Sequence, residues 1–131
     1  MTLRLLPPIA IAAALVLSGC GSAAETVSVP NNEHQLAFSL DEYRIFPRNV
    51  SVPAGPLRIT VVNHGLLTHN LVVAQRDRDA NGNRVVLTKT PTLQPGASVT
   101  LTPTLRPGRY AMSSTLANQA DLGMMGTLTV R

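Results

Sequence analysis

The sequence predicts one small all-β domain of the antiparallel sandwich class, preceded by an export signal. The chain has 131 residues, ten prolines and nine glycines, which leaves room for a single domain. Short runs rich in Val, Ile, Leu and Thr are divided by Pro-Gly, Asn-Gly or Pro turn signals, and no helix of normal length is visible. Apolar and polar side chains alternate at residues 57–61 and 98–102, as in strands that are buried on one face.

The first nineteen residues have the anatomy of a secretory signal. Arg4 precedes an apolar run that contains Pro7 and Pro8 and ends in small residues. A membrane-spanning helix needs about 20 uninterrupted apolar residues, and this run is too short and too broken to supply them. We therefore expect residues 1–19 to be removed and the remaining chain to be extracytoplasmic.

The signal ends in Leu17-Ser-Gly-Cys20, which resembles the lipobox of bacterial lipoproteins. The resemblance implies that Cys20 is acylated, with palmitate as one acyl chain, and that it anchors the mature protein to the bacterial cell membrane. The alternative is a free thiol after ordinary cleavage. Because Cys20 is the single cysteine of the chain, an internal disulfide and a four-thiolate metal site are excluded.

Residues 20–33 are mostly small and polar, so they predict a flexible tether, and residues 34–131 then form the domain. Nine strands are predicted in that domain, at residues 35–40, 43–46, 49–52, 57–63, 70–75, 84–89, 98–102, 108–113 and 126–130. The segment 77–83 matches the first half of a calcium loop, but Thr88 stands where such a loop needs Glu. An Asn-Gly turn between two strands accounts for the same residues.

Charge and composition exclude two classes of function. Loss of Arg4 with the signal leaves ten basic and seven acidic side chains, which are scattered and not interleaved with aromatics, so nothing supports nucleic-acid binding. For catalysis there is no free nucleophilic cysteine and no recognisable serine motif, and the acids lie apart in turn-like segments. We expect that the protein is not an enzyme.

Two stretches resemble the cupredoxin family, the copper-binding β-sandwiches that include plastocyanin and azurin. The first runs from residue 43 to Asn63 and continues as Asn63-x-Gly65-x-x-x-His69-Asn70. The second begins with Pro107-Gly-Arg-Tyr110 and ends with Gly123-Met-Met-Gly126. Together they extend over roughly residues 43–130, and the resemblance implies a Greek-key β-sandwich.

The same resemblance implies where the copper ligands of the family fall in this chain. His69 matches the first ligand, and the positions four, nine and fourteen residues after Tyr110 are Ser114, Gln119 and Met124. His69 and Met124 are thus kept, while Ser114 replaces the ligand Cys and Gln119 replaces the second ligand His. A blue-copper site depends on its thiolate, and a serine hydroxyl stays protonated near neutral pH, so we expect this type of copper site to be lost.

Two functions remain open. The first is an interaction or accessory module with no cofactor, in which His69 is a buried histidine bonded to Ser114 or Asn118 and the partner is a surface or periplasmic protein. The alternative is a copper-binding or copper-handling protein that uses His69 and Met124 with help from His64 or Met125. Thioether and imidazole ligands together suit Cu(I).

Overall fold

The computed structural model describes residues 25–131, which form twelve β-strands and no α-helix. The predicted signal, residues 1–19, and the predicted acylation site, Cys20, lie outside the described residues. Within residues 25–131 no helix is long and apolar enough to cross a membrane. The strands are β1 Thr26–Ser28, β2 Gln35–Asp41, β3 Arg44–Phe46, β4 Asn49–Val52, β5 Gly55–Pro56, β6 Arg58–Asn63, β7 Val72–Arg78, β8 Arg84–Lys89, β9 Ser98–Leu101, β10 Thr104–Leu105, β11 Gly108–Ser113 and β12 Met125–Val130.

The strands form two main sheets that enclose one core. The larger sheet has the order β1-β4-β12-β11-β7-β8, the smaller has the order β3-β2-β6-β9, and β10 and β5 form a short separate pair. The predicted all-β sandwich is confirmed, but its sheets are mixed, because β1 with β4, β4 with β12, and β2 with β6 run parallel. Alternation of apolar and polar side chains identifies the buried face of a strand. The alternation is the same whether the neighbouring strand runs parallel or antiparallel, so the sequence could not show these parallel pairs.

Side chains from both sheets alternate into the core as the pattern predicted. Ile59 and Val61 in β6, and Leu57 just before it, are buried while Arg58 is exposed. The largest fully buried side chains include Phe38, Leu40, Ile59, Leu71, Leu105, Met112, Met124, Leu128 and His69. Burial of these aliphatic groups, at about 25 cal/mol per Å² of apolar surface, is the main favourable term that holds the sheets together.

The sandwich begins earlier than the sequence analysis expected. Thr26–Ser28 pairs with β4, and Val29 is only 8% exposed and belongs to the core. The guanidinium group of Arg131 donates a hydrogen bond to the Val29 carbonyl, which ties this segment to the end of β12. Residues 26–29 are therefore part of the domain and not of the predicted flexible tether. Backbone hydrogen bonds to β4 and the buried Val29 beside it are enough to hold this short edge strand. Because the strand itself shows no apolar–polar alternation, the sequence pattern did not predict it.

The connection between β7 and β8 is a turn built around Asp79 and Gly82. The Asp79 carboxylate oxygen Oδ1 accepts the backbone N–H groups of Asn81 and Asn83, and Gly82 has a φ of 80°. These contacts are those of the Asn-Gly turn expected from the sequence. The turn lies at the end of the sandwich opposite the loops described next, because β7 starts at those loops and runs away from them.

Candidate functional site

Two loops at one end of the sandwich carry the four positions to which the resemblance assigns metal ligands. We call this end the loop end; it consists of residues 64–71, between β6 and β7, and residues 114–124, between β11 and β12. The first loop is shaped by Asn63 at the end of β6. Its amide nitrogen donates to the carbonyls of Leu67 and Leu93, and its Oδ1 accepts from Gly65 N–H at 2.9 Å.

Glu42, in the turn between β2 and β3, holds the same loop from the other side. Its Oε1 accepts the backbone N–H groups of Leu66 at 2.7 Å and Leu67 at 2.9 Å. The pKa of Glu42 is lowered from its ordinary value, chiefly by the hydrogen bond from Leu67, although partial desolvation opposes the effect. A carboxylate that accepts backbone N–H groups is stabilised in its charged form.

Gly65 is required by the close approach of these groups. A Cβ at this position would lie 2.5 Å from Glu42 Oε1 and 2.9 Å from His69 Nε2. Both separations are shorter than a carbon atom tolerates, so any side chain would push the loop away from Glu42 and His69.

His69 is fully buried between the two loops. Its backbone exchanges hydrogen bonds with Leu93, and its ring nitrogens lie 3.0 Å from Gln119 Oε1 and 3.4 Å from Glu42 Oε1. The Gln119 Nε2 group donates to the Thr68 carbonyl at 2.9 Å, which assigns Oε1 to the side facing the ring. His69 Nδ1 is therefore the donor to Gln119, and the contact of Nε2 with Glu42 is an ion pair only when the ring carries a second proton.

Ser114 completes the buried cluster from the start of the second loop. Its Oγ lies 2.8 Å from Gln119 Oε1 and 2.9 Å from Asn70 Oδ1, and it accepts the backbone N–H of Leu116. A hydroxyl has one proton, so Ser114 donates to one of these two oxygens at a time. Asn70 also bonds Thr115 twice, once through Oδ1 and once through Nδ2, which joins the two loops again.

Met124 ends the second loop and is fully buried in the core. Its backbone N–H donates to the Gln119 carbonyl at 3.0 Å, and its carbonyl accepts from Ser114 N–H at 3.2 Å. The structure thus joins His69 and Ser114 through Gln119 and ties the Met124 backbone to Ser114 and Gln119.

The other two candidate ligands lie outside this buried cluster. His64 is exposed, and Met125 is 47% exposed and lines a surface groove with Arg48. The expected hydrogen-bond partner of His69 also requires correction, because the ring bonds Gln119 and not Ser114 or Asn118. Asn118 is exposed, and its backbone carbonyl accepts from Leu122. The longer Gln side chain reaches across the loop to the ring, whereas Ser114 reaches only Gln119 and Asn70.

The donor atoms of the cluster do not fit a blue-copper centre. The set holds one imidazole, one thioether, one hydroxyl and amide oxygens, with no thiolate and no second imidazole. Among the described residues no buried side-chain nitrogen or oxygen lacks a polar neighbour at hydrogen-bond distance. His69 Nδ1, the Gln119 amide and the Ser114 hydroxyl are engaged, whereas Nε2 of the neutral ring faces Glu42 Oε1 at 3.4 Å without a proton between them. In the same part of the chain no group of three or more His, Cys, Asp or Glu residues is placed to hold a metal ion.

Sequence reasoning missed Glu42 and the structural roles of Asn63 and Asn70. Glu42 is 24 to 27 residues away from the groups that it binds, and an isolated acid in a turn gives no local signal of such contacts. Both asparagines do lie within the stretch that resembles the cupredoxins. Their buried amides could have been suspected there, because a buried amide must find hydrogen-bond partners.

Comparison with known proteins identifies the fold. No protein-family model and no curated protein matches the chain. Among solved structures, an auracyanin from Roseiflexus castenholzii is 22% identical, with a TM-score of 0.66 over 76% of this chain and 98% of that one. Auracyanin A, a blue copper protein from Chloroflexus aurantiacus, is 17% identical, with a TM-score of 0.62 over 82% of this chain and 100% of that one.

A rusticyanin from Thiobacillus ferrooxidans is 15% identical, and it also has a TM-score of 0.62, over 81% of this chain and 82% of that one. Identities of this size show the fold alone. The strand order and these likenesses together show that residues 25–131 form a cupredoxin-like domain.

Proposed function

We propose that the protein is an extracytoplasmic lipoprotein, anchored through Cys20, whose cupredoxin-like domain is a non-catalytic interaction module. The observation that carries this proposal is the cluster of His69, Gln119 and Ser114. At the positions that match copper ligands, Gln119 Oε1 lies 3.0 Å from His69 Nδ1 and 2.8 Å from Ser114 Oγ, so Gln119 bonds both of the other side chains. A site in which His69 Nδ1, Gln119 and Ser114 already engage one another offers a metal ion few free donor atoms.

The cluster also gives the loop end a fixed shape. His69 with Gln119, Gln119 with Thr68, and Asn70 with Thr115 are all bonds between the two loops. Above this buried layer, Leu66, Leu67 and Leu122 are 86%, 47% and 49% exposed. Rigid loops that expose apolar side chains suit a contact surface, because little conformational entropy is lost on binding.

The alternative function is copper binding by His69 and Met124. Two observations favour it: both side chains are fully buried on the two facing loops, and the structural neighbours include auracyanin A, a blue copper protein, and a copper-containing nitrite reductase. Copper would have to displace Gln119 from the His69 ring. His64 and Met125 would also have to move inward from their exposed positions.

Titration of the chain purified from bacterial membranes with Cu(I) and with Cu(II) separates the two functions. We expect no stoichiometric copper in native mass spectra and no rise in melting temperature at micromolar copper. One bound copper with a clear rise in melting temperature would favour the alternative, since a ligand that binds only the folded state stabilises it. That rise should then vanish in the His69→Ala/Met124→Ala variant, weaken in the His64→Ala/Met125→Ala variant, and persist in a matched control, His34→Ala, which replaces an exposed histidine outside the loop end.

The anchor is tested on the same preparation. Mass spectrometry of the N-terminal peptide should show a chain that begins at an acylated Cys20. A chain that retains residues 1–19, or that carries a free Cys20 thiol, would contradict the proposed anchor.

A further inference from the structure

We infer that the loop end rests on the lipid bilayer and places Leu66, Leu67 and Leu122 in its interfacial region. This inference rests on the acylation of Cys20 that the proposed function includes, and it names the bilayer as the partner of the exposed leucines.

The first step is the position at which the chain enters the domain. In β1, Thr26 is level with Asn49 of β4, and Asn49 is level with Thr127 of β12. The three strands run parallel, and β12 starts at Met125, immediately after the second loop. The N-terminal end of β1 therefore lies at the loop end, so the chain that precedes Thr26 leaves the sandwich from that end.

The second step is the reach of that chain. Six residue steps lead from Cys20 to Thr26. A fully extended chain advances about 3.3–3.6 Å per residue, so the start of β1 can lie at most about 20 Å from the acylated cysteine. The loop end is thereby kept close to the bilayer, while the turn at Asn81 and Gly82 lies at the far end of the sandwich.

The third step is the chemistry of the surface that this geometry brings to the lipid. Leu66 and Leu67 have their backbone N–H groups bound by the Glu42 carboxylate, so this backbone carries no unpaired donor toward the bilayer. Their side chains and that of Leu122 project from both loops into solvent. Apolar side chains on a rigid polar frame are typical of surfaces that insert shallowly into the interface.

The charged groups of this end are compatible with that position. Asp41 is paired with Arg44 at 3.0 Å, and Glu42 is bound by the loop. Arg48, Lys89 and Asp121 are exposed, and their charges can remain in the hydrated headgroup layer, as can the polar ring of His64. Contact should therefore depend mainly on the leucines and little on salt.

The test uses the full chain reconstituted into phosphatidylcholine vesicles. With Cys20 acylated, an introduced cysteine is the only free thiol, so an environment-sensitive fluorophore can be attached at Leu67→Cys or, as the matched control at the far end, at Asn81→Cys. A lipid-borne quencher should reduce the emission of the Leu67→Cys label several-fold more than that of the Asn81→Cys label. This difference should persist in high salt.

Substituting Leu66→Ser and Leu122→Ser should remove most of the quenching at Leu67→Cys and leave the melting temperature unchanged, since both leucines are exposed. Equal, weak quenching at both labels would overturn the inference while leaving the anchor intact, and a protein would then be the partner of these leucines. A chain that separates from the vesicles with Cys20 free would overturn both the anchor and the bilayer contact.

Discussion

Replacing Gln119 with Leu tests whether the cluster stabilises the fold. Leu has a volume close to that of Gln, so the effect of an empty cavity is small and the lost hydrogen bonds dominate. Gln119 is 7% exposed and bonds His69, Ser114 and Thr68. After the substitution Ser114 can still donate to Asn70, but His69 Nδ1 loses its partner and the ring keeps only the longer 3.4 Å contact of Nε2 with Glu42.

The magnitude follows from these contacts. A buried donor without a partner costs about 1–3 kcal/mol, and the lost bond to the half-buried Thr68 carbonyl adds about 1 kcal/mol. Burial of the apolar Leu atoms returns about 1 kcal/mol. We therefore expect Gln119→Leu to lower the free energy of unfolding by about 1–3 kcal/mol, most of it through His69.

Urea unfolding at neutral pH measures this difference directly. The matched control is Gln75→Leu, an exposed glutamine on β7, which should change the stability by no more than about 0.5 kcal/mol. In a chain that already carries His69→Phe, the cost of Gln119→Leu should shrink, because no buried donor is then stranded. Equal effects of the substitutions at positions 119 and 75 would refute the reasoning.

Three further predictions concern the same end of the domain. The Ser114→Cys/Gln119→His variant supplies a thiolate and a second imidazole, so it should bind one copper and become coloured in an absorption titration, whereas either single variant should bind more weakly. The pKa of Glu42 is lowered in the folded protein, so the charged carboxylate stabilises the fold at pH values above its ordinary pKa of 4.5. This contribution is lost as the pH falls through the lowered pKa. The urea midpoint of wild type should thus exceed that of Glu42→Gln at neutral pH and converge with it in acid, while the exposed control Glu33→Gln should follow wild type throughout. Finally, Gly65→Ala should cost about 1–3 kcal/mol in urea unfolding, because its Cβ would meet Glu42 Oε1 at 2.5 Å, and an unchanged midpoint would show that the loop yields without strain.

Much of the fold could be predicted from local patterns. Alternating side chains and turn residues identified the sandwich, since both depend on neighbours in the sequence. Strand direction could not be obtained in this way, and β1 was missed because its three residues are all exposed and only Val29, directly after it, is buried, which leaves almost no hydrophobic pattern.

The candidate site was predictable in its positions and not in its contacts. Spacing from Tyr110 placed Ser114, Gln119 and Met124 on one loop, and the structure ties all three together. Which atoms bond His69 depends on side-chain length and on the facing loop, so Gln119 was not foreseen as its partner. Glu42 lies at the site because β2 pairs with β6. The pairing of two segments that are distant in the sequence cannot be predicted from a local pattern.

Under the proposed anchoring through Cys20, the attachment of β1 has a mechanical consequence. A force applied through the anchor would pull β1 along its own axis, and its backbone hydrogen bonds to β4 would then be loaded together in shear instead of opening one after another. The buried Val29 side chain and the bond from Arg131 fasten the far end of the strand. With the proposed anchor at Cys20, the domain would be tethered by a strand that resists traction, and the loops beside it would keep their shape while the anchor is under load.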